Sequence, residues 1–152
     1  MVDADPTAGV LIASRALVGV AARSLAAVED DVTLTQYRAL VLLASRGEQK
    51  VGELARALSI HPSTTTRLCD RLAAKGLISR TPSAESRREI VLKISGPGSR
   101  LLTSVTTRRR REIRGILASL SRDQQRRVQE AFDLFGRAAG ELPDDAWKLG
   151  WT

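Results

Sequence analysis

Residues 51–70 read VGELARALSIHPSTTTRLCD, and no other stretch limits the possible folds so tightly. A short helix over Val51 to Leu58 sets Leu54, Ala55 and Leu58 on its apolar side, and a second helix opens at Pro62, a residue suited to the first helical position. Two short helices joined by so few residues match the helix-turn-helix pattern. The close crossing of the helices needs a small residue, and Ala55 supplies it. At the turn, where glycine is usual, Ser59 stands ahead of Ile60. In the second helix Thr65 fills an apolar position only weakly, while Leu68, Cys69 and Leu72 complete the inward face by spacing.

The outward face of the second helix carries Ser63, Thr66, Arg67 and Asp70, with Thr64 and Arg71 on its edge. Short hydroxyls can meet phosphates or bases closely, and arginines reach guanine edges or the backbone. The helix N-terminus itself favours a phosphate, and His61 before Pro62 reads as an N-cap or phosphate contact. A run of four hydroxyl residues, Ser63 to Thr66, is poor helix-forming material for a plain surface helix. Asp70 would be repelled by DNA, so it is expected to orient Arg67 or Arg71, or simply to face water.

Next comes a hairpin. Leu77 to Thr81 alternates as a strand, and across a polar turn Ile90, Leu92 and Ile94 point opposite to Glu89, Val91 and Lys93. A hairpin directly after a helix-turn-helix is the winged-helix arrangement. Such a wing can lie along a minor groove, whose negative potential attracts arginine. Arg87 and Arg88 are the natural wing residues, with Arg80 as a backbone contact.

Helices are expected on both sides: about Pro6 to Val28, Leu34 to Arg46, Pro97 to Leu120 and Arg122 to Gly140, the last with Ser121 as N-cap. The fold class is therefore mainly α with a small β-hairpin. Residues 33–98 form the winged helix-turn-helix core with the wing at 77–95. The flanking segments 1–32 and 99–142 remain outside it, and 143–152 is a tail that Trp147 and Trp151 are expected to dock.

The charge pattern agrees. Of the net +7, residues 51–95 hold 8 basic against 4 acidic residues and residues 96–120 hold 6 against 1, while both ends are near neutral. That asymmetry suits a polyanion partner or a solvated basic surface. Arg108 to Arg111 with Arg114 point all around a helix, so they divide between solvated charge, a phosphate contact and the rim of an anionic-ligand pocket. A single cysteine and a single histidine exclude a disulfide within the chain and any multi-cysteine metal site. Cys69 is expected to act as a small hydrophobe. No glycine-rich phosphate loop or nucleophile dyad is present, so the sequence reads as a non-enzyme without cofactor or metal. The early apolar run Leu17 to Ala22 is short and flanked by Arg15 and Arg23, so no membrane partner and a cytoplasmic location are expected. A winged-helix protein-interaction module and a nonspecific DNA-binding protein are the alternatives to a sequence-specific DNA binder.

The stretches LTQYRALVLLA (34–44), KVGELARALSI (50–60), STTTRLCDRLAAKGLISR (63–80) and SRREIVLKISGPG (86–98) together resemble the MarR family of bacterial transcriptional regulators. The resemblance implies a homodimer built from the first helix and the last two, whose lobes read a pseudo-palindromic operator in double-stranded DNA. Such proteins are often repressors released by a small aromatic or anionic effector or by an oxidant. It implies DNA contacts from the segment His61, Pro62, Ser63, Thr64, Thr66, Arg67 and Arg71, and from Arg80, Arg87 and Arg88 around the wing. The family's wing signature is Asp-x-Arg, whereas this chain reads Ser86-Arg87-Arg88, so either Glu85 or Glu89 holds Arg88 or Arg88 is freer than in the family. The reactive cysteine of the family's peroxide sensors belongs to the first helix, where this chain has none.

Overall fold

The computed structural model describes residues 5–29 and 31–147. In chain order the elements are α1 (Pro6–Ala26), α2 (Leu34–Arg46), β1 (Gln49–Lys50), α3 (Val51–Leu58), α4 (Pro62–Ala74), β2 (Ile78–Pro82), β3 (Ile90–Ile94), α5 (Gly96–Leu117), α6 (Arg122–Ala138) and a 3-10 turn at Asp144–Ala146. The starts follow from local chemistry. The Asp5 carboxylate accepts from the Thr7 N–H at 2.9 Å ahead of Pro6. Thr33 with Gln36, and Ser121 with Gln124, each form a reciprocal capping box. Gly47, at φ 84°, ends α2 in a conformation that favours glycine.

α2 is the centre of the core. Ala39, Leu40, Leu42 and Leu43 are each at most 1% exposed, so this helix is surrounded on every side rather than on one stripe. Leu54, Leu72, Leu92 and Val105, from α3, α4, β3 and α5, close over it. The sheet is antiparallel in the order β1-β3-β2, with Ile78 opposite Ile94 and Thr81 opposite Val91. The third strand, β1, is absent from the sequence expectations because two residues carry no alternation to read. It pairs Gln49 with Leu92 and Lys50 with Val91.

α1 packs along α5, touches α2 and adds Leu25 to the same core. Its 21 residues, with mean hydropathy 1.5 over the most apolar window, are long and apolar enough by length and composition alone to cross a membrane. The run Leu17 to Ala22 understates that apolarity, since Val10, Leu11 and Ile12 ahead of it are also apolar and exposed. α6 buries none of its residues and exposes Phe132, Leu134 and Phe135. After it, Arg38 pairs with Glu141 and holds that carboxyl below its ordinary range. Trp147 donates from Nε1 to the Leu142 carbonyl at 3.2 Å and packs against the core, as expected for the tail. Trp151 lies outside the described residues.

Candidate nucleic-acid interface

The turn between α3 and α4 places Ser59 in the left-handed region at φ 55°, ψ 39°. This is the position where glycine avoids a Cβ clash, and serine occupies it with some strain. The Ile60 N–H closes the turn on the Ala55 carbonyl at 3.1 Å. His61 caps α4: its Nδ1 accepts from the Ser63 N–H at 3.2 Å and lies 2.8 Å from the Ser63 hydroxyl. Acceptance at Nδ1 leaves Nε2–H as a donor.

Within the helix, two members of the hydroxyl run bond back to the preceding turn and so satisfy their own polar atoms. Thr65 Oγ1 donates to the His61 carbonyl at 3.2 Å, and Thr66 Oγ1 to that of Pro62 at 3.0 Å. The first of these bonds lets Thr65 serve as a fully buried residue despite its polar atom. Leu68, Cys69 and Leu72 are buried beside it, as their spacing requires. His61, Pro62, Ser63, Thr64, Arg67, Asp70 and Arg71 are exposed and Thr66 is half-buried. α4 thus presents one polar face with short groups at its N-terminal end and arginines one and two turns further on.

Asp70 departs from expectation. It pairs with neither Arg67 nor Arg71 but with Arg80 on β2. The pair spans α4 and the first strand of the wing, linking the two parts of the candidate interface. Burial pushes the Cys69 thiol beneath them up to about 11, with Arg80 pulling slightly the other way. A thiol held protonated in this way is a poor nucleophile.

At the wing tip the Glu89 N–H bonds to the Ser86 carbonyl at 3.0 Å, which makes Arg87 and Arg88 the central residues of a tight turn. Both are exposed, and neither makes an ion pair among the described residues. The Ser86 hydroxyl accepts from the Arg88 backbone N–H at 3.4 Å, so it holds the turn and not the guanidinium. Glu85 and Glu89 do not hold Arg88 either. Both face Lys50, with Nζ at 3.6 Å from Glu85 and 2.7 Å from Glu89. Lys50 was not among the expected functional residues. Its signal in the sequence is a lysine at a helix N-cap, a position that favours serine, threonine or aspartate.

The arginine run on α5 is divided among partners. Arg110 pairs with Asp144 at 3.4 Å, and Arg109 Nη1 approaches the Tyr37 hydroxyl at 3.5 Å. Arg108 and Arg111 line a cleft of about 390 Å³ with Arg23, Ser24, Ala27 and Glu112, across which Arg23 pairs with Glu112.

A hydroxyl- and arginine-faced helix linked to an arginine-tipped hairpin defines a winged helix-turn-helix DNA-binding regulator of transcription. Residues 32–90 match the family model described as the MarR family. The crystal structure of RV1404 from Mycobacterium tuberculosis is 36% identical, with a TM-score of 0.84 over 90% of this chain and 93% of that one. The chain belongs to the MarR family. The HTH-type transcriptional repressor MdtR of Bacillus subtilis is 39% identical over 67 residues, 44% of this chain and 43% of MdtR. The fold is also that of NadR, solved in complex with 4-hydroxyphenylacetate, at 22% identity and a TM-score of 0.65 over 89% of this chain and 94% of that one.

Proposed function

We propose that the protein is a homodimeric, cytoplasmic repressor that reads a pseudo-palindromic operator and is released by a small aromatic or anionic effector. The observation that carries the reading is the single exposed surface formed by α4 and the wing, tied together by Asp70 and Arg80. Ser63, Thr64, Thr66, Arg67 and Arg71 are assigned to the major groove and its phosphates, with His61 and Pro62 at the helix start. Arg87 and Arg88 are assigned to the neighbouring minor groove and Arg80 to the backbone. A protein-interaction module has no use for so many hydroxyls on one helix face.

The dimer reading rests on α1, α6 and the end of α5. Ile12 is 65% exposed, Leu134 66% and Phe135 51%, and Ile116 adds to them. So much apolar surface left open on these helices is what an obligate interface covers. Segments 1–32 and 99–142 are therefore assigned to dimerisation. The effector reading rests on the arginine-lined cleft, whose volume suits a small molecule. The Ser24 hydroxyl there is buried without a hydrogen-bond partner among the described residues. The repressor role of MdtR and the aromatic acid bound by NadR support the same reading.

The test is a gel-shift series on duplexes enriched by the protein itself, paired with a sizing column. Arg88→Ala should weaken binding while the dimer elutes unchanged. Full-strength binding by this variant would remove the wing from the interface.

A further inference from the structure

The wing tip carries two carboxylates as well as two arginines. Glu85 and Glu89 flank Arg87 and Arg88, and a bare carboxylate beside a DNA backbone repels it. Both are met by one cation from another element. Lys50 lies on β1, paired with Val91 on the edge of the sheet, and its Nζ reaches Glu89 at 2.7 Å and Glu85 at 3.6 Å.

Lys50 occupies a position that argues against an accidental contact. It is the N-cap of α3, where a side chain normally accepts from the first-turn N–H groups, and its side chain makes no such bond. A cation there also opposes the positive end of the helix dipole. The capping work is left to Glu53, whose carboxylate accepts from the Lys50 N–H at 2.8 Å. The local choice disfavours the helix start, so its compensation lies elsewhere, and the wing is where the side chain goes. The hydrogen bond that Lys50 donates to the Glu89 carboxylate also raises the Lys50 pKa above its ordinary value.

We propose that Lys50 is a positioning residue for DNA binding: it holds the wing tip through Glu89 and Glu85 and neutralises the two carboxylates that flank Arg87 and Arg88. It takes the place left vacant where Ser86 stands in the wing, but it anchors the turn from outside the hairpin and leaves both guanidinium groups available. Exposed ion pairs contribute little to folding, so its effect should appear in DNA affinity and not in stability.

The inference rests on the wing's role in DNA binding proposed above. The probe is a duplex enriched from a random pool by the wild-type protein. Lys50→Met should bind it roughly fivefold more weakly, with an unchanged dimer and melting temperature. Footprints of the variant should lose protection in the minor groove flanking each half-site and keep it in the major groove. Lys50→Arg should restore both. In a Glu85→Gln, Glu89→Gln background the same Lys50→Met change should cost less than about twofold, because its partners are already neutral. An equal loss in both backgrounds would make Lys50 a direct phosphate contact and overturn the proposal, as would wild-type affinity in Lys50→Met. If Lys50→Met does not fold, Lys50→Gln replaces it under the same criteria. Failure of the wild type to enrich any duplex would overturn the DNA-binding reading itself, a separate result.

Discussion

Replacing Gly98 with alanine drives a methyl group into the base of the wing. A Cβ at this position would sit 2.2 Å from the Leu77 carbonyl oxygen and 2.8 Å from Ile94 Cγ1. Ordinary van der Waals contact begins near 3.4 Å, so backbone must give way by about 1 Å. The displaced oxygen accepts the Ser95 N–H at 3.0 Å, and the Ser95 hydroxyl in turn bonds to Gly76 and caps α5. Overpacking of this kind costs about 1–3 kcal/mol, and a weakened buried hydrogen bond adds about 1 kcal/mol. The smaller unfolded-state entropy of alanine returns about 0.4–1 kcal/mol. The net loss is about 1–3.6 kcal/mol, which for a chain of this length lowers the melting temperature by roughly 2–14 °C. Gly52→Ala is the matched control, because nothing lies within 4 Å of its Cβ. That variant should match wild type or gain up to about 1 kcal/mol. Thermal unfolding followed by circular dichroism, at one protein concentration because association shifts apparent stability, reads both. A Gly98→Ala protein as stable as Gly52→Ala would refute the packing of α5 against the wing base.

Ser59→Gly should stabilise the protein by about 0.5 kcal/mol, since release from the left-handed region outweighs the added freedom of the unfolded chain; a destabilised variant in chemical denaturation would contradict the turn geometry. Cys69 should resist thiol reagents at neutral pH until the chain is unfolded. Its folded pKa, near 11, lies above the ordinary value of 9.0, so its contribution to stability is complete below pH 9 and is lost as pH rises through 11; labelling of the native protein at pH 7.5 at the rate of the unfolded chain would show the thiol is not enclosed. Arg67→Ala should relax sequence preference and weaken specific binding by ~1–3 kcal/mol if a guanine edge is its target. Equal losses on enriched and random DNA would reassign it to the backbone.

Much of the fold could be read from the chain because its signals are local. Pro62 starts a helix, Gly47 and Gly76 stop helices, and the period of the apolar residues places Leu54, Leu68 and Leu72 inside. The family model covers the same helix-turn-helix and, in the wing, the first strand and the tip up to residue 90. What escaped the reading depends on contacts distant in sequence. β1 is two residues long and exists because β3 offers it a free edge. Asp70 finds Arg80 ten residues away and not its helical neighbours, because the wing strand crosses its end of α4. Lys50 meets Glu85 and Glu89 only once the sheet has formed. Side-chain partners in the wing are set by the sheet, while the placement of Arg87 and Arg88 at its tip follows from the turn itself.

Sequence-specific DNA reading by α4 and the wing is the central proposal. Selection of bound fragments from the encoding genome with the purified protein, followed by salt titration on the enriched fragments, tests it most directly. The expected result is a shared inverted repeat with half-sites about one helical turn apart and an affinity that falls steeply as salt rises. No enrichment over random fragments, or binding indifferent to salt, would contradict it.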